Sequence, residues 1–330
     1  AEIITVNYQP PRGTVSSWGD NYGNRVDRFL ACVAYLDGVH PSAVFQRGYY
    51  TRMTLAAWDF NGTNLTLRWF FDSNNGYSNF AGQGNHNLSV GDVDGDGFDE
   101  IIEGACAIDH DGKGMYATGL GHGDAIHLGD LDPNRPGLEV WEVHESTSAA
   151  YGYEMHDART GQIIWGAYTG TDNGRGLAAD IDNGYRGYEM WSASGAGTFS
   201  NSGTQISTSK PTINFRIYWD GDLQDEVLDG TKLDKWTGNG TTRLISFYNY
   251  NAQEINGTKA NPNLVADILG DWREEAIYRS RDNSKLIIFT TTTLTNYKFY
   301  TLMHDKIYRL AIAWQNVGYN QTPHPSFYLV

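Results

Sequence analysis

Along the chain, short runs rich in Tyr, Trp, Phe, Ile, Val and Thr alternate with turns rich in Asp, Asn and Gly, the pattern of strands joined by tight connections. Asn61-Gly62, Thr160-Gly161 and Asn256-Gly257 stand between such runs as hairpin signals. No segment carries a long apolar period of about 3.6 residues with caps at its ends, and no Ser/Pro-rich linker divides the chain, so one all-β body is expected. One acidic turn recurs. Its clearest copy, Asp92-Val93-Asp94-Gly95-Asp96-Gly97-Phe98-Asp99-Glu100, runs directly into Ile101-Ile102. Weaker copies begin Asp130-Leu131-Asp132, Asp180-Ile181-Asp182 and Asp220-Gly221-Asp222 and lead to Glu139, Glu189 and Glu226, while Asp267 and Asp271 lead to Glu275. Outlying copies at 37–44 and 324–329 keep only the strand entry. With starts at 35, 92, 130, 180, 218 and 267 the intervals are 57, 38, 50, 38 and 49 residues. These bracket the roughly 40 to 50 residues of a four-stranded propeller blade. The expected architecture is therefore an all-β β-propeller of about six blades, or part of a larger ring, since radial repetition protects strand edges.

Composition narrows the functional classes. Hydrophobic residues make up 40% of the 330-residue chain, with 38 Gly and 9 Pro, which supports a folded core and excludes low-complexity disorder. The 24 basic and 39 acidic residues leave a formal charge of -15, which disfavours nucleic acid and anionic membranes as partners. The longest apolar run, Phe29 to Leu36, is far too short to span a bilayer. Cys32 and Cys106 form no CxxC pair and are expected to be buried apolar residues. The chain opens at Ala1 without Met, which implies processing or excision from a longer protein.

Alternate carboxylates on a tight Gly-containing loop suit calcium, a hard ion that takes about six to eight oxygens. Asp92, Asp94, Asp96 and Asp99 form the strongest candidate cage, with Asp130, Asp132, Asp180, Asp182, Asp220 and Asp222 as further candidates. The alternative for each is a solvated polar hairpin. A second constellation lies in Gly82-Gln83-Gly84-Asn85-His86-Asn87 and Gly119-Leu120-Gly121-His122-Gly123-Asp124, each just before an acidic turn. Equivalent placement predicts that His86 and His122 converge at one rim. With Asp124 and Glu145 they offer nitrogen and oxygen donors for a metal, or an acid/base cluster. Arg175 and Lys259 stand in polar loops with no evident acidic partner, and either can neutralise a substrate carboxylate or simply be surface charge.

Together with Trp314-Gln315-Asn316-Val317-Gly318-Tyr319-Asn320, these stretches closely resemble the rhamnogalacturonan lyases of polysaccharide lyase family 11, along essentially the whole chain. The resemblance implies an eight-bladed, calcium-containing propeller that cleaves the rhamnose to galacturonic acid linkage of rhamnogalacturonan I, a pectin backbone, by β-elimination. Most such enzymes are secreted by bacteria, and some act inside the cell on imported fragments. It implies that an N-terminal β-domain and the first blades lie outside these residues. It further implies that His86, His122, Asp124 and Glu145 surround a calcium in the active cleft, and that Arg175 and Lys259 face the galacturonate carboxylate. Asn256, Gly257 and Thr258 would contact sugar, and Tyr319, with Asn316 nearby, would lie against the substrate. Imidazole is an unusual partner for a hard ion, which leaves His86 and His122 open as outer-sphere or substrate-facing groups.

Elimination removes the C5 proton of a uronate and expels the oxygen on C4. A C–H beside a carboxylate is a very weak acid, so a cation must drain the developing charge. Lys259, with a pKa lowered by Arg175 and the metal, is the expected base, and His86 or Tyr319 the reserve. The expected protein is a monomer that takes rhamnogalacturonan or pectin oligosaccharides and several calcium ions. Two other classes stay open. A non-catalytic, calcium-stabilised propeller that binds carbohydrate or protein has no need of His86, His122, Arg175 and Lys259. A glycoside hydrolase needs two carboxylates about 5 to 10 Å apart, for which Asp124 and Glu145 are the candidate pair.

Overall fold

The computed structural model describes residues 2–257 and 259–329, which form six four-stranded antiparallel sheets in chain order. The first contains β1 (Phe29–Ala34), β2 (Ser42–Arg47), β3 (Thr54–Phe60) and β4 (Leu65–Asp72), and the second β5 (Gly84–Gly91), β6 (Glu100–Gly104), β7 (Cys106–Ile108) and β8 (Gly114–Ala117). The third is β9 (Ala125–Gly129), β10 (Glu139–Val143), β11 (Tyr153–Asp157) and β12 (Ile163–Ala167); the fourth is β13 (Gly176–Ala179), β14 (Glu189–Ser192), β15 (Thr198–Ser200) and β16 (Gln205–Ser207). The fifth is β17 (Phe215–Ile217), β18 (Glu226–Asp229), β19 (Lys232–Trp236) and β20 (Thr241–Ser246). In the sixth, β21 (Ala252–Gln253), β22 (Leu264–Ala266) and β24 (Leu286–Phe289) all pair with β23 (Glu275–Ser280).

Burial grades across each sheet. Strands β5, β6, β9, β10, β13 and β14 are buried along their whole length, and they carry buried polar residues such as Asn85, His86, Glu103, His127 and Glu142 among the apolar ones. The outer strands β4 and β20 are largely exposed. Cys32 and Cys106 are both buried and free, as small apolar residues.

The acidic turns connect the first and second strands of the second to fifth sheets, and β22 to β23 in the sixth, and each is held by the Glu that opens the next strand. Glu139 Oε2 accepts from the Leu131 and Asp132 amides at 3.1 and 3.0 Å, Glu189 from Ile181 and Asp182 at 2.9 and 3.0 Å, and Glu226 from Trp219 and Asp220 at 3.0 and 3.1 Å. Glu100 and Glu275 do the same for Val93 and for Ile268 and Leu269. The repeat is thus a structural device: a buried carboxylate satisfies amides that the turn would otherwise leave unpaired.

Two expectations need correction. Each sheet is open and none closes on itself, so among the described residues the strand pairing shows six successive sheets and does not show a propeller. The repeat interval could not tell these apart, because any series of four-stranded meanders has the same period. Nor does the structure support the acidic loops as calcium cages, although the ligand atoms of Asp92, Asp94 and Asp96 lie within 4.8 Å of one another. Asp92 accepts from the Gly95 and Gly97 amides at 2.8 and 3.0 Å, and Asp94 and Asp96 accept from amides two residues on. Asp99 turns away to the Tyr35 amide and to Lys306 Nζ at 2.6 Å. Asp130 accepts from the Tyr328 amide, Asp132 from Asn134 and Asn201, and Asp182 from Gly184; the Asp180 amide bonds Asp225. Asp220 and Asp222 close on Lys235 Nζ at 2.5 and 2.7 Å, an ammonium where an ion was expected. Short acidic side chains capping their own turns produce the same sequence signature as an ion loop.

The sequence also hid an α-helix. α1 (Lys306–Trp314) is capped by Asp305, whose carboxylate accepts from the Ile307 amide, and it buries Ile307, Leu310, Ala311 and Trp314 at helical spacing. It packs against β1, β5 and β22. The segment that follows, which as an outlying turn copy was expected to enter a strand, instead runs as buried irregular chain between the sheets. Gln315 pairs its amide with both backbone groups of Val265, Gln321 bonds the Ile126 amide and the Asp124 carbonyl, and the Arg216 guanidinium donates to the Pro323 carbonyl. His324 Nε2 lies 3.0 Å from His127 Nδ1. One segment therefore ties β9, β17 and β22 together and carries Tyr319 with it.

Candidate functional site

The site is built where β5 leaves its ladder. Between Gly84 and Ser89 the register with β6 slips, and the freed residues bond the neighbouring sheet instead. The His86 amide donates to the Gly123 carbonyl at 3.3 Å, Asn85 donates to the Ala125 carbonyl at 3.3 Å, and His122 Nδ1 lies 2.5 Å from the Gly84 carbonyl. Gly123 leaves no room for a side chain: a β-carbon there would overlap the Val143 carbonyl oxygen of β10 and stand 3.2 Å from Asn85 Nδ2 across the seam. The two Gly-rich stretches thus converge as expected. The His86 and His122 rings are 4.7 Å apart, edge to face.

His86 is held at both ring nitrogens. Tyr49 Oη is 2.9 Å from Nδ1 and Tyr50 Oη is 2.9 Å from Nε2, while Asp124 Oδ1 stands 3.1 Å from Nε2. Burial lowers the His86 pKa despite the Asp124 charge, and burial together with His86 pushes His122 down to about 3. Burial would raise Asp124, but His86 and Lys259 hold it below the ordinary carboxylate range. Glu145 is pushed up by burial and by Asp124, with its Oε1 3.6 Å from His122 Nε2. Beneath the loop, His144 Nδ1 donates to the Gly121 carbonyl at 3.0 Å, and Glu142 and Glu154 outweigh burial to raise that imidazole to about 9.

Three further groups arrive from distant sheets. Lys259 Nζ lies 3.2 Å from Asp124 Oδ2 and 4.2 Å from the centre of the Tyr319 ring. Tyr319 stacks on His86 with centroids 3.8 Å apart and planes 18° from parallel. Arg175 is 4% exposed, its Nη2 donating to the Asn214 and Asn320 carbonyls at 3.3 Å, and burial lowers its pKa to about 10. Its Nε and Nη1 have no hydrogen-bond partner among the described residues. Lys259, expected among cations, has a carboxylate as its nearest ion partner.

The ligand atoms of His86, His122, Asp124 and Glu145 all lie within 4.8 Å of one another. His122 Nε2 is buried without a hydrogen-bond partner among the described residues, beside Asp124 Oδ1, whose near neighbour is His86 Nε2 at 3.1 Å; an unsatisfied nitrogen next to a carboxylate fits a cation at that point. His86 fits less directly, since both its nitrogens already face tyrosine hydroxyls. Of the other expected residues, Asn256 reaches the Gly318 carbonyl beside Tyr319, and Gly257 is exposed next to it. Thr258 lies outside the described residues. Asn316 does not face the cluster: its Nδ2 donates to the Ala31 and Ala313 carbonyls at 2.8 and 2.9 Å. Sequence reading missed Tyr49, Tyr50 and Gln321. A usable signal was Gly48, with a positive φ of 73° and no room for a β-carbon, directing two successive tyrosines inward.

Comparison with known proteins places this geometry in a family. The family described as rhamnogalacturonan lyase family 11, C-terminal domain, matches residues 1–330. Rhamnogalacturonan endolyase YesW of Bacillus subtilis strain 168 is 57% identical over 331 residues, covering 99% of this chain and 53% of that protein. Rhamnogalacturonan exolyase YesX of the same organism is 56% identical over 345 residues, covering 99% of this chain and 56% of its own length. The solved structure of the Bacillus licheniformis rhamnogalacturonan lyase superposes with a TM-score of 0.97 at 58% identity, covering all of this chain and 56% of that one, and that of YesW with 0.96 at 55%, covering 99% and 56%. The chain thus spans little more than half the length of these relatives. It belongs to rhamnogalacturonan lyase family 11, and its residues correspond to that family's C-terminal domain.

Proposed function

We propose that the protein is a polysaccharide lyase that cleaves rhamnogalacturonan I by β-elimination at the His86–His122–Asp124–Glu145 cluster. The observation that carries this reading is the convergence of the unpartnered His122 Nε2 and the Asp124 carboxylate with Lys259 and a stacked His86–Tyr319 pair, drawn from separate sheets and from the segment after α1. A pectin substrate places the protein outside the producing cell, or inside it for fragments already taken up.

Calcium held by His122, Asp124 and Glu145, with His86 adjoining, would supply positive charge against the enolate-like intermediate. The remaining work falls to side chains. Arg175 offers Nε and Nη1 to the uronate carboxylate, and its burial strengthens that interaction. Lys259 Nζ, on a flexible stem and positioned by Asp124 Oδ2, takes the C5 proton in its neutral amine form, after which the C4–O bond breaks and the departing sugar oxygen picks up a proton from water. His86 and Tyr319 present a flat wall on which a sugar ring can rest, and Tyr49 and Tyr50 fix the orientation of His86. Asn256 borders the same cleft as a sugar contact, with the exposed Gly257 next to it in the chain.

The test is an ultraviolet assay for unsaturated uronate on rhamnogalacturonan I, with added calcium and then with chelator. Calcium-dependent product growth supports the reading. A chain that melts cooperatively, binds the polysaccharide and forms no product would sink it.

A further inference from the structure

A cleft of about 380 Å³ opens beside His86 and Tyr319, walled by Arg28, Phe29, Leu30 and Val317. None of the steps above uses that wall. Its cation is Arg28, half-buried just before β1, with its guanidinium carbon 5.5 Å from the Tyr50 ring centre and that of Arg25 at 4.5 Å. Arg28 Nη2 donates to Asn24 Oδ1 at 2.7 Å, and among the described residues the guanidinium has no carboxylate partner. The other charges nearby are already matched. Asp27 is gripped by Arg12 through contacts of 2.6 to 3.1 Å, Arg25 stands 3.4 Å from Asp20, and Lys259 is engaged by Asp124. Arg28 is also close enough for its charge to act on His86, Tyr49 and Tyr50. Beside this cation the lining is apolar apart from the Arg12-paired Asp27: Phe29 is 45% exposed, and Leu30 and Val317 also line the cleft.

A planar guanidinium with free donors matches a carboxylate two-pronged, and an apolar strip beside it suits the methyl face of a deoxysugar. We propose that this cleft binds a second uronic acid of the substrate chain, with its carboxylate on Arg28 and the adjoining 6-deoxysugar against Phe29, Leu30 and Val317. The inference rests on the reading under Proposed function and adds to it a position on the Arg28 side of the cleft that recognises the acidic repeat beside the sugar resting on His86 and Tyr319.

The test uses the Lys259→Ala chain, so that turnover does not consume the ligand, and compares it with Lys259→Ala/Arg28→Gln and Lys259→Ala/Arg28→Lys by titration calorimetry. The probes are a rhamnogalacturonan I hexasaccharide and the same oligosaccharide with its carboxyl groups reduced to alcohols. Loss of a charge-assisted contact predicts that Arg28→Gln weakens binding of the acidic form about tenfold or more, with the reduced form changed less than about twofold and Arg28→Lys intermediate. Unchanged melting of the variants keeps the readout on binding. Equal losses on both probes, or no loss on the acidic one, overturn this inference and leave the lyase reading standing. A parent chain that binds neither probe overturns both.

Discussion

Tyr319 stacks on His86 at 3.8 Å although 233 residues separate them, because the segment after α1 is threaded between the sheets. The stack leaves Lys259 on the tyrosine ring and Asp124 on the imidazole, so that one aromatic pair organises two charged groups. Tyr319→Ala should raise KM by roughly threefold to tenfold, the size of a stacked contact of about 0.5–1.5 kcal/mol, while Tyr319→Phe stays near the parent. Steady-state kinetics on rhamnogalacturonan I decide it. A loss confined to kcat, or shared by the Phe variant, would point to the hydroxyl as a reacting group.

Lys259 is placed to move a proton as well as to hold charge. Lys259→Ala should lower kcat roughly a hundredfold to ten-thousandfold, and Lys259→Arg, which keeps the charge but cannot act as a base near neutrality, should fall as far. If the Arg variant retains most of its kcat and the Ala variant mainly raises KM, Lys259 binds carboxylate and another group is the base.

Gly123 is wedged between the Val143 carbonyl of its own sheet and Asn85 of β5. Gly123→Ala would drive a methyl into the Val143 carbonyl, and should destabilise the fold by about 1–3 kcal/mol while displacing His122 and Asp124. Thermal unfolding and the lyase assay should fall together. A variant with parental melting and parental turnover would show that the seam tolerates a side chain.

Glu103 supplies a pH test away from the cluster. It is fully buried, and burial outweighs the hydrogen bond from Gln46 to raise its pKa to about 8. A folded pKa above the unfolded one means the folded chain binds the proton more tightly. Its contribution is therefore present in full below the unfolded value, near 4.5, and is lost as pH rises toward about 8. The loss is on the order of 1.4 kcal/mol per pH unit at most across that window. Glu103→Gln should flatten the fall in melting temperature between pH 5 and pH 8; a parallel pair of profiles would show that Glu103 does not titrate there.

Much of this molecule could be read from local chemistry. Alternation of aromatic and β-branched runs with Gly-containing turns gave the strands, and the spacing of the acidic turns gave six repeats, because both reflect contacts within one hairpin. The Gly-rich flanks of His86 and His122 marked the cluster because close backbone approach demands glycine wherever it occurs. Other features depended on partners far away in the chain. Whether Asp92 or Asp220 holds an ion, an amide or Lys235 is decided by what else reaches the loop, and the residue pattern is the same in each case. Asn316, beside Tyr319 in sequence, bonds the Ala31 carbonyl instead, and Tyr49, Tyr50 and Gln321 gain meaning only where β2, β5 and the last segment meet. The sequence by itself determined strands, turns and repeat; the tertiary structure alone decided that the sheets stay open, and which distant side chains share one cleft, since neither is set by interactions between chain neighbours.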